Sequence, residues 1–446
     1  MADGEERRSV AGPRTGEHRS GPPRLVEGGR ARPVAIGPPR HAMTRTERMR
    51  AQRDRRRRRA AASVALATII VIVVAVVFLG SKLWHSVFDS DNDYTGAGRN
   101  DVVIQIHDGD STTAIGQTLH EHQIVATVRA FVDAAHGNSS MSSIQPGFYK
   151  LRTVIPAADA VKRLTDPQNR VGKLVIPEGR QLDDVQDIKT NAVTEGIFSL
   201  ISRASCVQLD GQRRCVSVAD LRQAAANEPP ELLNVPDWAA QQVGALNGDH
   251  RRLEGLIAPG TWNIDPAASP PEILAVLIES SASQYAQSGL LDTASQLKMS
   301  PYQILTVASL VQREAKPADF PKVARVIYNR LQARQQLEFD STVNYPLDRQ
   351  EVATTDADRA RATPWNTYVN DGLPATPIGS PGDPALSAAE RPDPGDWLYF
   401  VTVDMQGTTL FTKDYQEHLA NIDLARRNGV LDSARWASRA TSDTPR

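Results

Sequence analysis

Glu314 lies near the end of a run, residues 301–315, in which Ile304, Val307, Leu310 or Val311 and then Glu314 recur at three- and four-residue steps. On a helix such positions share a face, so the pattern aims a carboxyl along the same stripe as the aliphatic side chains. Low-dielectric surroundings disfavour the charged form of an acid and raise its pKa, which is what proton donation near neutral pH requires. The plainer reading of the same spacing is a helix-end glutamate in an ordinary ion pair with Arg313, Lys316 or Arg330. The nine histidines are scattered, with no His/Cys pair at ligand spacing, so no metal is expected. No cofactor is expected either.

The elements around this helix fall into an ordered series. Residues 60–81 are 22 uncharged residues preceded by the basic run 53–59. That length suits a helix crossing a bilayer, with the arginines marking the cytoplasmic side; a cleavable secretory signal is the competing reading, but no small-residue cleavage site precedes Lys82. Residues 1–59 carry 17 Arg against 7 Asp/Glu, a net of +10; the remaining 34 basic and 45 acidic residues give −11, so the total of −1 conceals two opposite regions. The first region is rich in Gly, Pro and Arg and has no period, so it is expected to be disordered. Its arginines suit anionic lipid headgroups beside a membrane span better than nucleic acid. Cys206 and Cys215 would then lie in an oxidising compartment, flanking a polar turn with Asp210-Gly211, and a local disulfide staple is expected.

Beyond an Asp-rich spacer, Val102, Ile104 and Ile106 alternate as a strand. Helical spacing follows over 112–120 and 124–136, then a strand over 147–151 and a short helix over 157–164. Leu174-Val175-Ile176 reads as a buried strand ending in Pro177-Glu178-Gly179. A second amphipathic helix carries Val323, Val326, Ile327, Arg330 and Leu331. Residues 397–401 read as a buried strand with a hairpin partner at 407–411. The fold class is therefore α+β. The expected divisions are a basic cytoplasmic segment (1–59), a single-pass transmembrane helix (60–84), a linker (85–100), a small α+β module (101–170), a mixed α/β catalytic domain (171–425) and a tail (426–446).

Several motifs in this order resemble those of the endolytic murein transglycosylases, the MltG or YceG-like family. Leu253-Glu254-Gly255 through Pro259-Gly260-Thr261-Trp262 is similar to the family's Leu-Glu-Gly-aromatic-x-x-Pro-Asp-Thr-aromatic, with Gly260 in place of Asp. Ala308-Ser309-Leu310-Val311-Gln312-Arg313-Glu314 resembles Ala-Ser-Ile-Ile-Glu-Lys-Glu, whose last Glu is catalytic; Gln312 replaces the earlier Glu. Tyr328-Asn329-Arg330-Leu331, Leu337-Glu338-Phe339-Asp340-Ser341-Thr342-Val343 and Pro364-Trp365-Asn366-Thr367-Tyr368 continue the series, which His418 closes; Thr409 stands where many relatives have His.

The resemblance implies that the 101–170 module is LysM-like and binds glycan, unless it is only a spacer. It further implies that Glu314 is the catalytic acid and that Glu254, Trp262, Asn329, Asp340, Asn366, Tyr368 and His418 are substrate contacts. The implied reaction cuts the β-1,4 bond between N-acetylmuramic acid and N-acetylglucosamine within peptidoglycan strands, leaving 1,6-anhydro ends. Implied partners are glycan strands, membrane lipid and penicillin-binding proteins, at the cell membrane with the C-terminal domain outside. A water-using muramidase pairing Glu314 with Asp340, and a silent peptidoglycan-binding scaffold, are the alternatives.

Overall fold

A computed structural model describes residues 93–187, 190–347, 349–350 and 354–430. The expected basic segment and apolar span lie outside the described residues, and so does most of the tail. Among the described residues no helix is long and apolar enough to cross a membrane.

The chain starts with β1 (Asp101–Ile106), α1 (Thr112–Glu121), α2 (Val128–Ala135), β2 (Gly147–Arg152), α3 (Ala157–Thr165) and β3 (Arg170–Val171). β2 is the centre of an antiparallel β1-β2-β3 sheet. Alternation along β1 buries Ile104 and Ile106 against Leu119, Phe131, Leu151 and Val161, and this forms a core of its own. The helix expected from 124 begins at Val128, because the Thr127 side chain caps Ala130 N–H. Ile124 and Val125 are buried ahead of it in a bend.

A second, larger core begins at β4 (Lys173–Ile176). One glycine, Gly172, separates it from β3, at φ +71° and so close to Ile264 that a Cβ would meet its carbonyl oxygen at 1.9 Å. Only glycine fits there. Next come β5 (Val185–Asp187), β6 (Val193–Thr194), α4 (Ile197–Ala204), the hairpin β7 (Val207–Leu209) and β8 (Gln212–Arg214), α5 (Val218–Asn227), α6 (Asp237–Ala245) and β9 (Gly260–Asn263). β9 lies antiparallel to β4, with Trp262 opposite Leu174. β4 is exposed on one face, with Lys173 and Val175 outward, so the strand expected to be buried throughout is a two-faced one. Cys206 and Cys215 are bonded to each other across the β7–β8 hairpin. The hairpin turn meets the first module, since Asp210 N–H donates to Asp101 Oδ2 and Asp101 N–H to Asp210 Oδ1 (3.0 and 2.8 Å).

The helical half contains α7 (Pro270–Ser288), α8 (Leu290–Leu297), α9 (Pro301–Glu314), α10 (Phe320–Ala333), α11 (Asp340–Asn344), β10 (Arg349–Gln350), α12 (Asp356–Arg359), α13 (Asp383–Glu390), β11 (Tyr399–Thr402), β12 (Thr409–Thr412) and α14 (Tyr415–Arg427). α9 is buried on every side from Ile304 to Val311, not along a single stripe, as befits a helix enclosed by others. A capping box between Ser300 and Gln303, with Pro301 in the first turn, starts it. Ala315 leaves it in extended conformation before Lys316-Pro317, where a residue preceding proline avoids the helical region. Each fully buried aliphatic side chain here stabilises by about 1.5–3 kcal/mol, so α9 is a rigid support for its last residue. β11, expected to be buried, is half-exposed at all four positions.

Candidate active site

Glu314 ends α9, partly buried, where the helix C-terminus already carries partial negative charge and disfavours a second anion. Burial pushes its pKa up to about 7. The nearby Asp340 carboxylate adds to the rise, while the Ser341 hydroxyl and N–H, and the Arg313 charge, oppose it. The result is a carboxyl poised between donor and acceptor at neutral pH.

Asp340 opens α11 and is held in the opposite state. Burial works against its charge but is outweighed by Arg359, Tyr368 and Thr354, and its pKa is lowered. Arg359 Nε donates to Oδ1 (3.2 Å) and Nη2 to Oδ2 (3.3 Å), while Tyr368 O–H and Thr354 O–H donate to Oδ1 at 2.6 and 2.7 Å. Two neighbouring carboxyls whose surroundings drive them apart mark an acid and an anion with distinct roles.

Backbone stitching fixes this pair. The 363–382 loop lies against the segment leading into α11: Phe339 N–H donates to Thr367 Oγ1 (3.1 Å), Thr342 and Thr367 hydroxyls are 2.8 Å apart, and Glu338 N–H reaches Thr367 O (3.2 Å), with Glu338 itself at φ +50°. The same loop is tied to α9, where Ile378 N–H donates to Ser309 Oγ (3.0 Å) and Gly382 N–H to Gln312 Oε1 (2.9 Å). Gln312, standing where the resemblance has Glu, thus serves the start of α13. From α10, Arg330 donates to Leu337 O and Leu398 O, each at 2.7 Å, and lies 5.3 Å from the Tyr399 ring.

The structure brings Glu314, Asp340 and Tyr368 together. Asn366 is adjacent but 1% exposed. Its amide donates to Arg359 O and Arg361 O and accepts from Tyr368 N–H, so it staples the loop. Asn329 donates to Gly395 O and Trp397 O. His418 stacks on Tyr399 with centroids 4.9 Å apart. Trp262 packs on the larger core and donates its indole N–H to Ala258 O (3.0 Å).

Glu254 is 1% exposed. It accepts from Leu182 N–H (3.1 Å) and Tyr345 O–H (2.7 Å), and burial pushes its pKa up to about 8. Ser341, Arg359 and Thr354 were not singled out by sequence. Ser341 lies inside the Leu337–Val343 motif, but Arg359 sits among surface-like charges, Asp356-Ala357-Asp358-Arg359, that carry no signal. A cavity of about 660 Å³ lies at the other end of α9, beside Tyr302 and Thr306. Twelve helical steps, roughly 18 Å, separate Tyr302 from Glu314, so that cavity is not this site. Among the described residues, no group of three or more His, Cys, Asp or Glu could hold a metal ion.

The chain belongs to the YceG-like family, whose model matches residues 104–424. Among its relatives is the endolytic murein transglycosylase of Bacillus subtilis, 28% identical over 320 residues, covering 71% of this chain and 82% of that protein. The protein of that name from Streptococcus pneumoniae serotype 2 is 26% identical over 335 residues; the match covers 72% of this chain and 58% of the streptococcal one. The crystal structure of a YceG-like protein from Listeria monocytogenes is 25% identical, with a TM-score of 0.47, covering 72% of this chain and 98% of that one.

Proposed function

We propose that this protein is an endolytic lytic transglycosylase that cuts the β-1,4 bond between N-acetylmuramic acid and N-acetylglucosamine inside peptidoglycan strands. The observation that carries the reading is the protonatable Glu314 beside the ionised Asp340. Glu314 donates its proton to the glycosidic oxygen as the bond breaks. As a carboxylate it then takes the proton from the muramoyl 6-hydroxyl, whose oxygen attacks the anomeric carbon and closes a 1,6-anhydro ring. A single titrating carboxyl suffices because the substrate supplies its own nucleophile, unlike the carboxyl pair of most glycoside hydrolases. In this reading residues 60–84 anchor the chain in the cell membrane, the catalytic region lies outside, and the first module is a LysM-like glycan-binding unit.

The anion at Asp340 also favours a second reading, a muramidase in which Asp340 activates water or attacks directly. Digestion of purified glycan strands followed by mass spectrometry separates the possibilities. Anhydro-muramoyl ends support the lytic reaction, reducing ends support the hydrolase, and intact strands overturn both.

A further inference from the structure

Asp340 is half-buried next to a second acid, yet the structure surrounds it with donors from three residues, Arg359, Tyr368 and Thr354, of which Arg359 is a cation. Arg359 contributes two of the bonds to Asp340, is only 15% exposed in its side chain, and lies 5.2 Å from the Tyr368 ring centroid, so that one guanidinium orders both Asp340 and the phenol that also binds it. The Arg359 carbonyl is in turn gripped by Asn366 (2.8 Å). Thus the arginine's backbone and head group are both fixed, as a planar two-bond clamp on a carboxylate requires.

We propose that Arg359 is a positioning residue for glycan cleavage: it clamps Asp340 as a fixed anion beside Glu314, so that the one available proton stays on Glu314 instead of being shared between two carboxyls. This rests on the functional reading above and adds a residue to it. Without the clamp, two neighbouring partly desolvated carboxyls would compete for the proton and titrate as a pair. Among the described residues, the other charged or titratable groups that act on one or other of the pair are Arg313 on α9, Arg330 on α10 and Tyr368, while Glu338 ahead of α11 and Tyr399 act on Arg330. Arg330 directs Nε and Nη1 at Leu398 O, Gln336 O and Leu337 O, whereas Arg359 is bonded to Asp340 itself.

The test uses full-length wild type, Arg359→Gln and Arg359→Lys, with the pH profile of anhydro-end formation on purified glycan strands. The proposal expects Arg359→Gln to move the acidic limb to higher pH and narrow the profile, with kcat falling more than KM rises, and Arg359→Lys to restore most of that limb. A uniform loss with both limbs unmoved would show a merely structural arginine and overturn it. Side-chain carboxyl 13C titration of the same proteins, without substrate, decides independently of which bond is cut. Asp340 titrating at higher pH in Arg359→Gln supports the clamp; an unmoved Asp340 overturns it. If wild type cleaves nothing, the enzyme reading fails, and the titration alone decides whether Arg359 governs the pair.

Discussion

Glu314 and Glu254 are both carboxyls whose proton is retained toward neutral pH by burial, at about 7 and about 8, yet the regions around them differ in kind. Glu254 is sealed in the larger core among Tyr285, Tyr302 and Tyr345, and its one bonded oxygen is spent on Leu182 and Tyr345. Glu314 stands where a rigid helix stops, partly open, facing Ser341 and an anion that is kept ionised by other residues. A raised pKa therefore does not identify an acid for catalysis. Access and a partner held in the opposite protonation state do.

The sharpest way to break this contrast is Glu314→Gln. We expect glycan cleavage to fall by about 10²- to 10⁴-fold, the usual worth of a positioned general acid, with thermal unfolding little changed because an amide fills the same space without a charge to desolvate. Undiminished cleavage would remove Glu314 from the reaction. Glu254→Ala should invert the pattern, destabilising the fold by about 2–4 kcal/mol through a cavity and unpaired donors on Leu182 and Tyr345. Chemical denaturation reads this, and the pH profile of cleavage by the folded fraction should stay in place.

The two acids also predict how stability follows pH. A carboxyl whose folded pKa is raised favours the fold fully below its unfolded value near 4.5, and that contribution is lost as pH rises through the folded value. Wild-type stability should therefore carry a component that declines between about pH 4.5 and 8, and Glu254→Gln should flatten it, as melting curves across that range would show. A variant with the same slope as wild type would mean that Glu254 does not hold its proton. The smallest effect belongs to Ser341→Ala. Loss of a donor to the ionised form raises the Glu314 pKa further, and the basic limb of the cleavage profile moves to higher pH with only a few-fold change in rate near pH 7.

Much of this arrangement was legible in the chain. The strand–helix–helix–strand–helix order of the first module, the ends of α9 and the place of Glu314 all follow from local periodicity and from the prolines at 301 and 317, which act over a few residues. The roles of side chains meeting across long separations were not. Asn366 and Tyr368 stand two apart in one motif, yet one staples its own loop while the other reaches Asp340, and spacing cannot distinguish them. Arg359 was invisible because a charge-rich short helix looks the same whether it faces water or a carboxylate. The single stripe expected on α9 failed because neighbours from distant sequence close over its remaining sides.

The passage from β3 to β4 leaves no slack: one glycine, pressed on Ile264, joins the two cores, and the Asp101–Asp210 pair and the Arg170–Asn263 contact (3.0 Å) clasp them again. Independent tumbling of the two halves would require those bonds to open together. Relaxation measurements should accordingly report one shared correlation time for both halves, and a force applied to the first would be transmitted to the second without being absorbed by a hinge.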